Sequence, residues 1–137
     1  MNAREQAARM LHVDPAEAAE LISQYREAHG LSAVTPDPTL QKLAQTQADA
    51  MAAHGALSHT IGGTLTQRFD AAGLGDAAAV ENVSAGYFSL SAALAGWRKS
   101  PPHNANLLAP KMRYLGLATA YAPGTRYLAF WALDMSN

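Results

Sequence analysis

Three separated polar clusters contain the side chains of this sequence best suited to chemistry. They are Ser58-His59-Thr60, Glu81-Asn82 and Ser100-Pro101-Pro102-His103. Each places a titratable side chain where an apolar, element-forming segment begins or ends. Two imidazoles and one carboxylate are the minimum set for binding a divalent metal or for acid–base catalysis. No other part of the sequence offers such a set.

The spacing of these residues does not by itself define a site. Metal motifs that can be recognised from sequence place their ligands about one helical turn apart, whereas His59, Glu81 and His103 lie far apart in the chain. The residues therefore leave two possibilities open, a shared site or three unrelated polar residues at the ends of elements. Ser58 has no Gly-x-Ser-x-Gly setting, so a serine hydrolase is disfavoured. The amides of Asn82 and Asn106 are typical of residues that tie down backbone groups.

Composition limits the class of protein. The 137 residues suit one domain with one core, and they contain 49% hydrophobic and 15% charged residues. The net charge of −1 and the lack of a basic stripe argue against nucleic acid as a partner. The absence of cysteine excludes disulfides and thiolate zinc sites. No transmembrane segment and no export signal are expected from the sequence, so we expect either a cytosolic protein or one whose export signal has been removed.

Capping residues and hydrophobic periodicity predict mostly helices before a C-terminal hairpin. Helices are expected from Asp14 to Gly30, from Asp37 to Gly55, from Thr64 to Gly73 and from Ser89 to Pro101, with one further turn over His103–Leu108. Strands are expected over Ala77–Ser84, Tyr114–Tyr121 and Arg126–Met135. Residues 1–13 are interpreted as a loosely attached extension or helix and 14–137 as a single domain. This order favours an α+β sandwich in which helices cover an antiparallel sheet.

Taken together, the segments resemble the CAP superfamily of cysteine-rich secretory, antigen 5 and pathogenesis-related proteins, also called the SCP domain. The resemblance is to the short, cysteine-free bacterial members and covers about residues 16–135. The matching stretches are Tyr25-Arg26-x-x-x-Gly30-Leu31, Leu40-x-x-x-Ala44, Met51, Leu57-Ser58-His59-Thr60, Arg68-Phe69-x-x-Ala72-Gly73, Glu81-Asn82-Val83-x-x-Gly86, Trp97-x-x-Ser100-Pro101-x-His103-x-x-Asn106-Leu107-Leu108 and Leu115-Gly116-Leu117-Ala118. Their order and spacing together are specific.

The resemblance implies an α-β-α sandwich with a cleft at one end that gathers two histidines and acidic residues. His59 and His103 match the family's histidines, which implies that they are ligands for zinc or another divalent metal. Glu81 matches the family's Gly-Glu-Asn glutamate, as a third ligand or as a base acting on bound water. Asn82, Ser100 and Asn106 are then expected to support the cleft. The resemblance also implies an extracytoplasmic location, periplasmic or secreted.

Three departures from the family pattern limit what can be transferred. Val80 replaces the usual glycine before the glutamate, and Ser100 stands where many eukaryotic members have a second cleft glutamate. The last strand reads Tyr127-Leu128-Ala129-Phe130-Trp131 in place of Tyr-Trp-Thr-Gln. Losing one carboxylate should weaken metal affinity and undermines any mechanism that needs separate acid and base carboxylates.

Three functions remain in competition at this stage. The first is a binding module without turnover, whose cleft holds a metal, a small ligand, a lipid or a peptide. The second is a metal-dependent hydrolase, a peptidase, with Glu81 as its base. The third is lipid or sterol binding. The missing second glutamate favours binding over catalysis.

Overall fold

The computed structural model describes residues 2–137, and the elements alternate as the sequence patterns predict. The helices are α1 (Ala3–Arg9), α2 (Pro15–Ala28), α3 (Pro38–His54), α4 (Leu65–Ala71), α5 (Leu90–Lys99) and α6 (Pro101–Leu107). The strands are β1 (Thr35–Pro36), β2 (Ala79–Ala85), β3 (Tyr114–Tyr121) and β4 (Ala129–Ser136). Within the described residues, no helix is both long and apolar enough to cross a bilayer.

The predicted caps set the helix boundaries. Asp14 and Asp37 each accept a hydrogen bond from the first turn of α2 and α3, and Ser89 does the same for α5. Thr64 and Gln67 form a reciprocal capping box at the start of α4. Helix α3 ends at Gly55, whose φ of 68° lies in the left-handed region that glycine adopts without strain. Local chemistry therefore fixes where these four helices begin and where α3 ends.

Two details differ from the expectations. Pro101 and Pro102 end α5 as predicted, but they also begin α6. Proline is tolerated there because the N–H groups of a first helical turn have no partner within the helix, so its missing N–H costs no hydrogen bond. Helix α6 is consequently longer than the single predicted turn. Residues 3–9, in the N-terminal extension, are helical, and Ala8 is fully buried against Leu128 and Ala129.

The strands form one four-stranded sheet in the order β1-β3-β4-β2. The predicted hairpin of β3 and β4 is confirmed, and β2 pairs antiparallel with β4. The sequence patterns missed β1, a two-residue strand that pairs parallel with the start of β3. It was missed because Pro36 and the helix start at Asp37 leave no alternating run to detect. Strand β2, which contains Glu81, is the last in this order and so lies at an edge of the sheet.

Helices cover both faces of the sheet, which gives an α-β-α sandwich. Helix α3 packs on one face, so closely at Gly116 that a Cβ there would collide with the backbone of Leu40. Helices α2, α5 and α6 cover the other face. Two buried clusters fill the layers; representative members are Ala44, Met51, Val83, Ala118 and Phe130 on the α3 side, and Ile22, Leu94, Trp97, Leu117 and Trp131 on the other.

Candidate functional site

A buried ion pair between Arg68 of α4 and Glu81 of β2 lies at the centre of the site. Arg68 Nη1 donates to Glu81 Oε2 and Arg68 Nη2 donates to Oε1, both at 2.9 Å. The same guanidinium donates from Nε to the Gly63 carbonyl at 3.1 Å and from Nη2 to the His59 carbonyl at 2.9 Å. Arg68 thus ties the segment between α3 and α4 to the edge strand. The planar fork of arginine suits this bidentate geometry.

The imidazole of His59 contacts the same carboxylate. Its Nδ1 lies 3.0 Å from Glu81 Oε1, and its side chain is 55% exposed while that of Glu81 is only 1% exposed. Ser58 stabilises the backbone around His59, because its Oγ accepts hydrogen bonds from the backbone N–H groups of Thr60 and Ile61. The imidazole is therefore fixed at Nδ1 and open to solvent on its other side.

Asn82 points to the opposite face of the sheet, because successive strand residues alternate faces. Its Nδ2 donates to the His103 carbonyl at 3.0 Å, and its Oδ1 accepts from Asn106 Nδ2 at 2.9 Å. Asn106 also donates to the Glu81 carbonyl at 3.1 Å. The two asparagines together anchor α6, which contains His103, to the strand that contains Glu81.

His103 is held by its own helix and by the helix packed against it. Its Nδ1 lies 2.9 Å from Ser100 Oγ, so the serine that replaces the family's second glutamate contacts this imidazole. On the neighbouring helix α2, Tyr25 donates to Asn104 Oδ1 at 2.6 Å. Arg26, fully buried, donates to the carbonyls of Leu107 and Ala109 at 2.9 and 2.7 Å. These contacts fix both ends of α6.

The structure adds Asp134, which sequence reasoning missed. It is fully buried on β4, at the position paired with Glu81. Within residues 2–137, neither of its carboxyl oxygens has a hydrogen-bond partner at normal distance and angle. Asp134 and Glu81 are therefore two buried carboxyl groups at paired positions of neighbouring strands. The one signal in the sequence was an acid inside the apolar run of the last strand.

The environment shifts the pKa values of the two carboxyl groups in opposite directions. Burial raises the pKa of Asp134 well above its usual range, and the proximity of Glu81 raises it further against the lowering effect of Arg68. Burial also acts to raise the pKa of Glu81, but contacts with Asp134, Arg68 and His59 outweigh it and lower that pKa. Of the two carboxyl groups, Asp134 is therefore the weaker acid, and Glu81 is the ionised partner of Arg68.

The structure connects His59, Glu81 and His103 by different routes. His59 contacts Glu81 directly, whereas His103 is linked through Asn82, the next residue of the strand. Among residues 2–137, no three imidazole or carboxyl side chains are grouped closely enough to hold a metal ion. Arg68 was visible in the sequence only within the stretch Arg68-Phe69-x-x-Ala72-Gly73, and no local pattern indicated its pairing with Glu81.

Comparison with known proteins agrees with this architecture. The model of the cysteine-rich secretory protein family, CAP, matches residues 19–135. The chain belongs to the CAP family. A comparison with curated proteins finds no matching sequence.

Solved bacterial structures share the fold. An extracellular protein containing an SCP domain from Bacillus anthracis is 26% identical with a TM-score of 0.75; the match covers 88% of this chain and 39% of that one. An outer surface protein from Borrelia burgdorferi is 21% identical with a TM-score of 0.76, over 93% and 98% of the two chains. A cysteine-rich secretory protein from Staphylococcus aureus is 16% identical with a TM-score of 0.70, over 89% and 37%. The chain thus spans well under half the length of two of these relatives.

Proposed function

We propose that this CAP domain is a ligand-binding module, and that His59 and His103 present their Nε2 atoms to a small ligand or to a divalent metal such as zinc. One observation supports this most directly. Both imidazoles are held at Nδ1, by Glu81 Oε1 and by Ser100 Oγ, and neither Nε2 has a hydrogen bond within the described residues. An imidazole fixed at one nitrogen has its other nitrogen oriented for ligation.

Glu81 is better suited to orient His59 than to bind a metal itself. Both of its oxygens accept from Arg68, and Oε1 also faces His59 Nδ1. Because the pKa of Glu81 is lowered, its carboxylate is ionised at neutral pH and accepts a hydrogen bond from the protonated Nδ1 of His59. That selects the tautomer with the lone pair on Nε2. The carboxylate–histidine pair is the usual arrangement behind a metal-binding histidine.

The donor set fits a weak metal site with open positions. Two imidazole nitrogens suit zinc, and water or a bound ligand would complete the coordination. With Ser100 in place of a carboxylate, no acidic side chain is free to join His59 and His103. A bound divalent ion would supply positive charge and a coordination position for an anionic ligand group. Glu81 and Ser100 would orient the two imidazoles.

Binding is favoured over hydrolysis because Glu81, the base that the hydrolase hypothesis requires, is poorly suited to that role. An effective general base has a pKa near the working pH, whereas the pKa of Glu81 is lowered by its contacts with Asp134, Arg68 and His59 against the effect of burial. Its side chain is also almost completely buried. A peptidase using this carboxylate would have to break the Arg68 pair during the reaction.

We also propose an extracytoplasmic location. The Bacillus anthracis relative is described as extracellular and the Borrelia relative as an outer surface protein. A binding domain without cysteine needs no oxidising compartment to fold, so this location is compatible with the composition.

Zinc titration followed by calorimetry tests the proposal. We expect one zinc per chain at pH 7.5, with at least about tenfold weaker binding in His59→Ala and in His103→Ala. His29→Ala and His54→Ala are matched controls, since both are exposed imidazoles whose Nδ1 lies 2.9 Å from a carbonyl of their own helix. Affinity should fall as the pH is lowered from 7.5 to 5.5, because ligating imidazole must be neutral.

Two outcomes would overturn the metal form of this proposal. One is the absence of both heat and thermal stabilisation at millimolar zinc. The other is an affinity that the two site variants leave unchanged. Cleavage of a peptide library by the zinc-loaded protein, abolished in Glu81→Gln, would instead establish the hydrolase.

A further inference from the structure

A groove with a volume of about 730 Å³ lies between α3 and α4. Its apolar lining comes from both helices and from the segment between them; it includes Leu43, Ala50, Ile61, Ala71 and Ala72. Neither histidine of the candidate site lines it, and neither does Glu81. The groove shares only the inner wall with that site, through Arg68 and Gly63. It is therefore a separate place for a ligand.

The size and lining of the groove match those of small-molecule sites. Such sites typically enclose about 300–1,000 Å³ and combine a mostly apolar surface with a few polar groups. Here the uncharged polar residues of the lining are Thr39, Thr46 and Gln47 of α3 and Gln67 of α4. Binding an apolar group here would remove its surface from water, which is favourable.

The charged residues that line the groove are all positive. Its lining contains two cations, Lys42 and Arg68, and no aspartate or glutamate. Arg68 is neutralised by Glu81. Lys42 is exposed and forms no ion pair within residues 2–137. A negatively charged group beside Lys42 would find an unpaired cation and no opposing carboxylate in the lining.

We propose that this groove binds an organic anion that has an apolar body and a single negatively charged group. The apolar body lies along Leu43, Ala50 and Ile61, and the charged group lies beside Lys42 at the rim. This site is independent of the two histidines.

Fluorescence titration with 8-anilinonaphthalene-1-sulfonate tests the apolar part. We expect saturable binding of one probe per chain to the folded protein. Ala50→Phe and Ala71→Phe fill the groove from opposite walls, and each should weaken binding at least about tenfold. Ala95→Phe, the same substitution at an exposed position of α5, is the control and should change affinity by less than about twofold. Near-ultraviolet circular dichroism establishes that each variant is folded.

A matched pair of probes tests the charge. N-phenyl-1-naphthylamine lacks the sulfonate, so it should bind more weakly than the anionic probe. Lys42→Gln should weaken the anion about threefold, an effect typical of an exposed charge pair, and leave the neutral probe unchanged. Lys111→Gln, which removes an exposed lysine outside the groove lining, should affect neither.

Several results would overturn this inference. Probe binding that survives both groove-filling variants would place the probe elsewhere. Equal binding of the two probes, or equal effects of Lys42→Gln on both, would make the ligand neutral rather than anionic. Zinc titration of Ala71→Phe separates this site from the histidine site, because zinc affinity should be unchanged there whatever the probe shows.

Discussion

Asp134 lies opposite Glu81 on neighbouring strands, and a single arginine faces the two buried carboxyl groups. Arg68 makes both of its carboxylate hydrogen bonds to Glu81. One positive charge can balance only one of the two carboxylates, and burial beside Glu81 raises the pKa of the other, Asp134. The consequence is a site whose stability depends on pH in a specific direction.

We expect Asp134→Asn to stabilise the protein relative to wild type increasingly as pH rises. Burial and the neighbouring Glu81 raise the pKa of Asp134 in the folded state. Above the unfolded pKa, the folded state therefore binds more protons than the unfolded state, and stability is lost as pH rises. Asparagine has no proton to lose. The stability difference should therefore grow continuously between pH 4 and pH 8.

Urea unfolding of Asp134→Asn and wild type at several pH values measures this difference. Asp76→Asn, the same substitution at an exposed position, is the control. A stability difference for Asp134→Asn that stays flat or shrinks with rising pH would mean that Asp134 is ionised in the folded protein.

Removing Arg68 should destabilise the protein strongly. Arg68→Met leaves the buried carboxylate of Glu81 without its cation, and breaking a buried pair in this way costs about 3–5 kcal/mol. It also releases the carbonyls of His59 and Gly63. Chemical denaturation at pH 7 measures the loss, with Arg9→Met, an exposed arginine in the last turn of α1, as control.

The second substitution Glu81→Gln should recover part of this loss. Arg68→Met with Glu81→Gln no longer buries an unpaired charge, so the double variant should be more stable than Arg68→Met alone. Strictly additive losses would show that the ion pair contributes nothing specific.

Asn82 should matter for the position of α6 as well as for stability. Asn82→Ala removes the hydrogen bonds to the His103 carbonyl and from Asn106. Leaving these buried groups unpaired costs about 1–3 kcal/mol. We expect the imidazole NMR signals of His103 to shift and those of His29, at the C-terminal end of α2, to stay unchanged. Unmoved His103 signals would show that other contacts suffice to place α6.

Arg26 should be required for the opposite end of α6. It is a buried cation with no carboxylate partner among residues 2–137, and it donates to the carbonyls of Ser32, Leu107 and Ala109. Arg26→Met keeps the apolar volume and removes these donors, at an expected cost of about 2 kcal/mol. Thermal unfolding measures it, with Arg9→Met, at an exposed position of α1, as control. A variant as stable as wild type would mean that water replaces the guanidinium.

The sequence by itself determined most of the elements and where α2, α3, α4 and α5 begin. Asp14, Asp37, Thr64 and Ser89 cap helices because their side chains accept backbone N–H groups a few residues away, which is a purely local interaction. The hairpin of β3 and β4 was predictable for the same reason, since its turn and its apolar runs are contiguous. The pattern shared with the CAP family added the expectation that His59, Glu81 and His103 meet.

Only the tertiary structure decided what surrounds those residues. Arg68 reaches Glu81 because α4 packs beside the edge strand, and Asp134 meets Glu81 because β4 pairs with β2 in one particular register. Neither relation has a local signature, since register and packing depend on residues distant in the chain. The alternation of side chains along β2 then directs Glu81 to one face and Asn82 to the other, so that two adjacent residues hold the segments that contain the two histidines.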